Sequence, residues 1–134
     1  MAKLVLDTNC LIQCIAHRSR YHEIWLSLLD GRNNLCVTNE ILEEYEEILE
    51  EKASHEFAIL AINVITNNPH TIFVTPYYRF HLIKADPDDN KFVDCAVAGN
   101  AKFIVTEDHH YNILAEIDFP KVDVIKLDEM LDRI

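Results

Sequence analysis

Short apolar runs alternate along the chain with longer stretches whose apolar positions recur every three or four residues, the pattern of strands and helices around a parallel sheet. Residues 3–6 read as a first strand, stopped by Asp7-Thr8-Asn9. Helices follow over 10–16 and 21–30, the second closed by Gly31, and 35–37 is a short second strand. Thr38 is placed to cap the next helix. Glu40, Glu43 and Glu44 load its first turns, and Ile41, Leu42, Tyr45, Ile48 and Leu49 form its apolar face. A helix over 56–66 ends at Asn67-Asn68-Pro69, and 71–74 predicts a third strand ended by Pro76. The turn 86–89 feeds a helix over 90–99, stopped by Gly99. Strands at 103–106 and 122–125 and a short helix at 128–133 complete the series. The expected fold is one α/β domain over residues 1–134, with three layers: a central parallel sheet of about five strands and helices on both faces.

Composition narrows the chemistry. Gly31 and Gly99 are the only glycines, which excludes a glycine-rich phosphate loop, because such loops need several glycines for close backbone approach. Cys10, Cys14, Cys36 and Cys95 lie in apolar stretches without a C-x-x-C pair, which predicts reduced, buried thiols and a cytoplasmic location. Asp7 interrupts the N-terminal apolar run well short of a signal peptide or membrane span. The net charge of −11, from 12 Lys+Arg against 23 Asp+Glu, argues against a bulk electrostatic RNA binder. It does not count against a metal-dependent nuclease, whose bound cation reverses the local field.

In this arrangement Asp7 ends the first strand, Glu40 follows the second, Asp108 follows the fourth, and Asp89 opens the helix before it. Open parallel sheets bind ligands outside the carboxyl ends of their strands, where strand order reverses, so four acids from distant segments can converge there. Carboxylates crowded together repel unless a counter-charge intervenes, and Mg²⁺ or Mn²⁺ fits carboxylate-plus-water coordination. No His or Cys falls at a spacing typical of zinc. Each acid also has a plainer reading as a turn, cap or helix-dipole residue, and spacing by itself leaves both open.

Three segments resemble the PIN-domain family, in particular its VapC-like branch of toxins from toxin–antitoxin pairs. LVLDTN, residues 4–9, is similar to the family's opening strand and its acid, which falls on Asp7. VTNEILEEY, residues 37–45, resembles the start of its third helix and places the glutamate on Glu40. DPDDNKFVDCAVAGNAKFIVTED, residues 86–108, resembles the long central motif, with the third acid on Asp89 and the fourth on Asp108. Residues 124–131 look like the closing strand and helix. The resemblance implies a carboxylate cleft for Mg²⁺ or Mn²⁺ built from Asp7, Glu40, Asp89 and Asp108. Thr106 would lie beside it and Asn9 would orient Asp7. Asp88 and Asp94 are the substitutes for the third acid; the run Asp86, Asp88, Asp89 leaves the choice to the helix start, and Asp89 is preferred because Phe92, Val93 and Ala96 then share the buried helix face.

The implied function is a metal-dependent endoribonuclease, a homodimer restrained by an antitoxin protein, with no membrane association. A catalytically silent PIN-fold subunit and a housekeeping RNA-processing nuclease are the alternatives. Arg18 and Arg20, beside His17, form the only local basic cluster and are candidate RNA contacts, as is Lys91. Arg79 is a weaker candidate of the same kind. His109 and His110, directly after Asp108, read as surface loop, with substrate contact as the other option. Tyr77, Tyr78 and Phe80 read first as core or dimer seam, with base stacking as the other option. Trp25 reads as core or interface, and the glutamates from Glu43 to Glu51 as a solvated helix face.

Overall fold

The computed structural model describes residues 2–134. Strand β1 (Lys3–Leu6) forms the middle of a five-stranded, all-parallel sheet. Its neighbours are β2 (Asn34–Val37) and β4 (Phe103–Val105), and the edges are β3 (Ile72–Phe73) and β5 (Val124–Ile125), giving the order β3-β2-β1-β4-β5. Leu4, Val5 and Leu6 pair in register with Phe103, Ile104 and Val105. All three β1 residues are fully buried, as an unbroken apolar run in a covered parallel sheet should be. The edge strands are two residues each, shorter than their apolar runs suggest, because only the inner side of each finds a partner.

Helices α1 (Thr8–Ile15) and α2 (His22–Leu29) connect β1 to β2, and α3 (Asn39–Lys52) and α4 (His55–Asn67) connect β2 to β3. After β3 the chain runs without regular structure to a 3₁₀ turn (Pro87–Asp89), which leads into α5 (Asn90–Ala98). A 3₁₀ segment (His109–Glu116) and α6 (Leu127–Asp132) flank β5. Thr38 and Ser54 cap α3 and α4 by accepting from the Ile41 and Phe57 amides at 3.1 and 3.0 Å. Gly31 takes φ +85° with the His70 ring against its Cα, a position where a side chain would meet both strain and a clash.

Strand order runs outward from β1 in one direction through β2 and β3, then reverses to β4 and β5. The reversal lies between β1 and β4, so their carboxyl ends, Asp7 and Thr106, emerge side by side. Beneath them the buried Tyr45 of α3 donates to the Leu6 carbonyl at 2.5 Å and faces Phe92 of α5. That contact ties both helices to the middle of the sheet. Among the described residues no helix is long and apolar enough to cross a membrane.

Candidate metal centre

Asp7 leaves β1 in an extended conformation and caps α1, with Oδ1 accepting from the Cys10 amide at 2.8 Å. Its Oδ2 accepts from the Thr106 hydroxyl, and Thr106 Oγ1 in turn accepts from the Asp108 amide at 3.0 Å. One buried threonine thus locks the ends of β1 and β4 together. Both Asp7 oxygens are engaged in hydrogen bonds. Asn9 is exposed, and the bonds that orient Asp7 come from Cys10 and Thr106 instead.

Asp89 behaves differently. It occupies the position ahead of α5 yet makes no side-chain capping bond, and its Oδ2 is buried without a hydrogen-bond partner. Burial, then the charges of Asp86, Asp108 and Asp7, pushes its pKa up to about 6. The buried Tyr111 hydroxyl stands beside it and tempers that rise without reaching hydrogen-bond geometry. Asp86, Asp89, Asp108 and His110 each present one ligand atom, and these atoms lie within 4.8 Å of one another. Asp108 also caps the 3₁₀ segment by accepting from the His110 amide at 2.9 Å. His110 Nδ1 sits 3.3 Å from Asp108 Oδ1 but off the angle of a hydrogen bond, and stays buried without a partner.

Asp89 Oδ2 and His110 Nδ1, buried without partners beside the carboxylates of Asp86 and Asp108, are ligand atoms free to meet a cation. Oxygen donors predominate, which suits Mg²⁺ or Mn²⁺. The residues present therefore fit a divalent ion, with Asp86, Asp89, Asp108 and His110 able to hold it and Asp7 adjoining.

Glu40 is not among these four ligands. Half-exposed at the start of α3, it pairs with Arg79 at 2.6 Å. The α3 carboxylate that reaches the Asp7 turn is Glu44, which accepts from the Thr8 hydroxyl and pairs with Lys91 at 2.5 Å. Asp94 is buried on α5 and accepts from the Phe80 amide at 3.1 Å. Burial raises its pKa, opposed by that amide and by Arg79 and His81. Asp88 is exposed. Arg20 pairs with Asp128 of α6 at 3.4 Å, Arg18 is exposed, and Lys91 is committed to Glu44.

Asp86, one of the three acids in the run before α5, caps the 3₁₀ turn and meets Asp89, while two further participants escape the sequence pattern. His110 and Tyr111 belong to a 3₁₀ segment whose buried residues, Tyr111 and Leu114, are too few to show a period. The proximity of His110 to Asp108 in sequence is the one available signal.

A sequence model of the PIN domain matches residues 3–110, spanning the segment from β1 into the turn after Asp108. The chain belongs to the PIN-domain family. Three solved structures share this PIN fold, each with a TM-score of 0.64. VapBC2 from Rickettsia felis, bound to a DNA fragment from its promoter, is 17% identical, with 92% of this chain and 98% of that chain covered. VapBC-1 from nontypeable Haemophilus influenzae is 16% identical, covering 94% and 98%. DNA-bound VapBC from Salmonella typhimurium is 17% identical, covering 95% and 99%. At these identities the likeness establishes the PIN fold itself. No curated protein matches this PIN domain in sequence.

Proposed function

We propose that this PIN domain is a metal-dependent endoribonuclease of the cytoplasm, the toxin of a toxin–antitoxin pair, working as a homodimer restrained by an antitoxin protein. The observation that carries the reading is the convergence of Asp86, Asp89, Asp108 and His110 within 4.8 Å, with Asp89 Oδ2 and His110 Nδ1 left without partners. Family membership and the VapBC likeness support the same conclusion.

In this proposal Asp89, Asp108 and Asp7 form the acidic set, joined by Asp86 and His110. Glu44, through Thr8, takes the place beside Asp7 that the sequence assigns to Glu40. Bound Mg²⁺ or Mn²⁺ supplies an acidified water and charge neutralisation at the phosphate. Thr106 holds Asp7 and the Asp108 backbone in fixed relation, so the carboxylates meet the cation without rearranging. Tyr111, buried and with its phenol held well above the ordinary range by burial and the neighbouring acids, stays protonated and can donate toward Asp89.

Thermal unfolding with and without Mn²⁺ tests the site. A hundredfold excess over Kd should stabilise the wild type by about 2.7 kcal/mol. Asp89→Asn and Asp108→Asn should lose most of that gain together with Mn²⁺-dependent RNA cleavage. Wild-type protein that neither gains stability with Mn²⁺ nor cuts RNA would support the second reading, a PIN-fold subunit without turnover. That reading draws on the pairing of Glu40 and Glu44 with Arg79 and Lys91, which neutralises two acids internally. Growth arrest on induced expression, relieved in Asp89→Asn, separates a toxin from a housekeeping nuclease.

A further inference from the structure

Between Glu56 and Asp86 the chain carries no acidic residue, the longest such stretch in a protein with 23 of them. Its last part, after β3, crosses toward α5 as an irregular strap and carries Tyr77, Tyr78, Arg79, Phe80, His81 and Lys84. Tyr77 is 97% exposed and Tyr78 66% exposed, so neither is core. The Tyr78 ring leans on Phe80, with centroids 4.6 Å apart.

The strap is nevertheless firmly held. Arg79 pairs with Glu40 at 2.6 Å, and the Phe80 amide donates to Asp94 at 3.1 Å. The buried Ile83 exchanges two backbone bonds with the Asn90 side chain, at 2.8 and 2.9 Å. Asn90 directly follows Asp89, so the last clasp fixes the strap to the rim of the carboxylate centre. Holding the strap by its backbone at Phe80 and Ile83 and by the Arg79 side chain, while leaving two tyrosines in water, is more than folding alone requires. It is what a preorganised contact surface requires.

We propose that residues 77–84 form a platform on which bases of single-stranded RNA stack, feeding the strand toward the carboxylate centre. This rests on the ribonuclease reading for its destination. The occupant follows from chemistry: aromatic faces accept any base, and the exposed Lys84, in a stretch with no acid of its own, suits a phosphate backbone, Arg79 being shared with Glu40. A protein seam draws on the same aromatic and arginine side chains, so what favours RNA is position: the Asn90 clasp sets the strap beside the carboxylate centre.

The test uses a short fluorescein-labelled oligouridylate and anisotropy with Mn²⁺ in an Asp108→Asn background, alongside steady-state cleavage by the same tyrosine variants with Asp108 intact. Tyr77→Ala with Tyr78→Ala should weaken binding by about tenfold or more and raise KM with little change in kcat, whereas Tyr77→Phe with Tyr78→Phe should restore both. Unchanged affinity in the alanine pair overturns the platform even where the wild type cuts RNA. Loss of affinity in that pair upholds it even where no cleavage is found, so the two readings fail separately. An alanine pair that dissociates a dimer in sedimentation without altering RNA affinity identifies a self-association seam and overturns the platform.

Discussion

Replacing Asp89 by Asn should stabilise the metal-free protein at neutral pH, although it removes a residue from the centre. The wild-type carboxyl is pushed up to about 6 from an ordinary 3.8 by burial and by Asp86, Asp108 and Asp7. At roughly 1.4 kcal/mol per pH unit, that gap sets a ceiling near 3 kcal/mol on the cost of ionising it in the fold. The group is only partly buried, and solvent screening reduces the effect to about 1 kcal/mol. For a chain of this size the gain corresponds to roughly 3–5 °C in Tm. The sign follows from proton binding: the folded state holds this proton more tightly than the unfolded state. The associated stability is present below pH 4 and lost as pH rises through 6. In EDTA, wild type and Asp89→Asn should melt alike near pH 4, and the variant should melt higher at pH 7. Mn²⁺ should then close or reverse the gap. A variant that melts lower at pH 7, or a difference that ignores pH, would refute carboxylate crowding at this position.

Thr106→Val removes the hydroxyl shared by Asp7 and the Asp108 amide, and should weaken Mn²⁺ binding by about 10- to 100-fold in calorimetric titration while Thr106→Ser retains it. Tyr45→Phe takes a bond from the buried Leu6 carbonyl and should cost about 1–3 kcal/mol in urea unfolding. All four cysteines are fully buried, and burial pushes Cys14 and Cys95 up to about 12 and Cys36 to about 11. A colorimetric disulfide reagent should therefore label none of them in the native protein and all of them in denaturant.

The inner strands were legible because β1 and β4 are buried on both faces and must be continuously apolar. The order of helices followed from caps such as Thr38. What pattern could not resolve was which of several like residues faces inward. Glu40 and Glu44 sit one helical turn apart on α3, and partners from elsewhere decide each: Arg79 takes Glu40, while Lys91 and the Thr8 hydroxyl take Glu44. Asp86 enters the cluster through the backbone of a 3₁₀ turn, a geometry without periodicity. For the aromatic strap, only the expectation of a core place fails, and for a related reason. Tyr77 and Tyr78 carry the composition of a core, but the segment's burial is spent on Ile83 instead.

The bond between Thr106 and Asp7 joins residues from opposite ends of the matched domain. A ribosome releases Asp7 early, but its counterpart emerges only after most of the chain has been made. Until the fourth strand docks beside the first, the acids remain strangers on separate pieces of polypeptide. Whatever reaction the centre performs is withheld from every unfinished chain, so catalysis, once detected, reports that the sheet has closed.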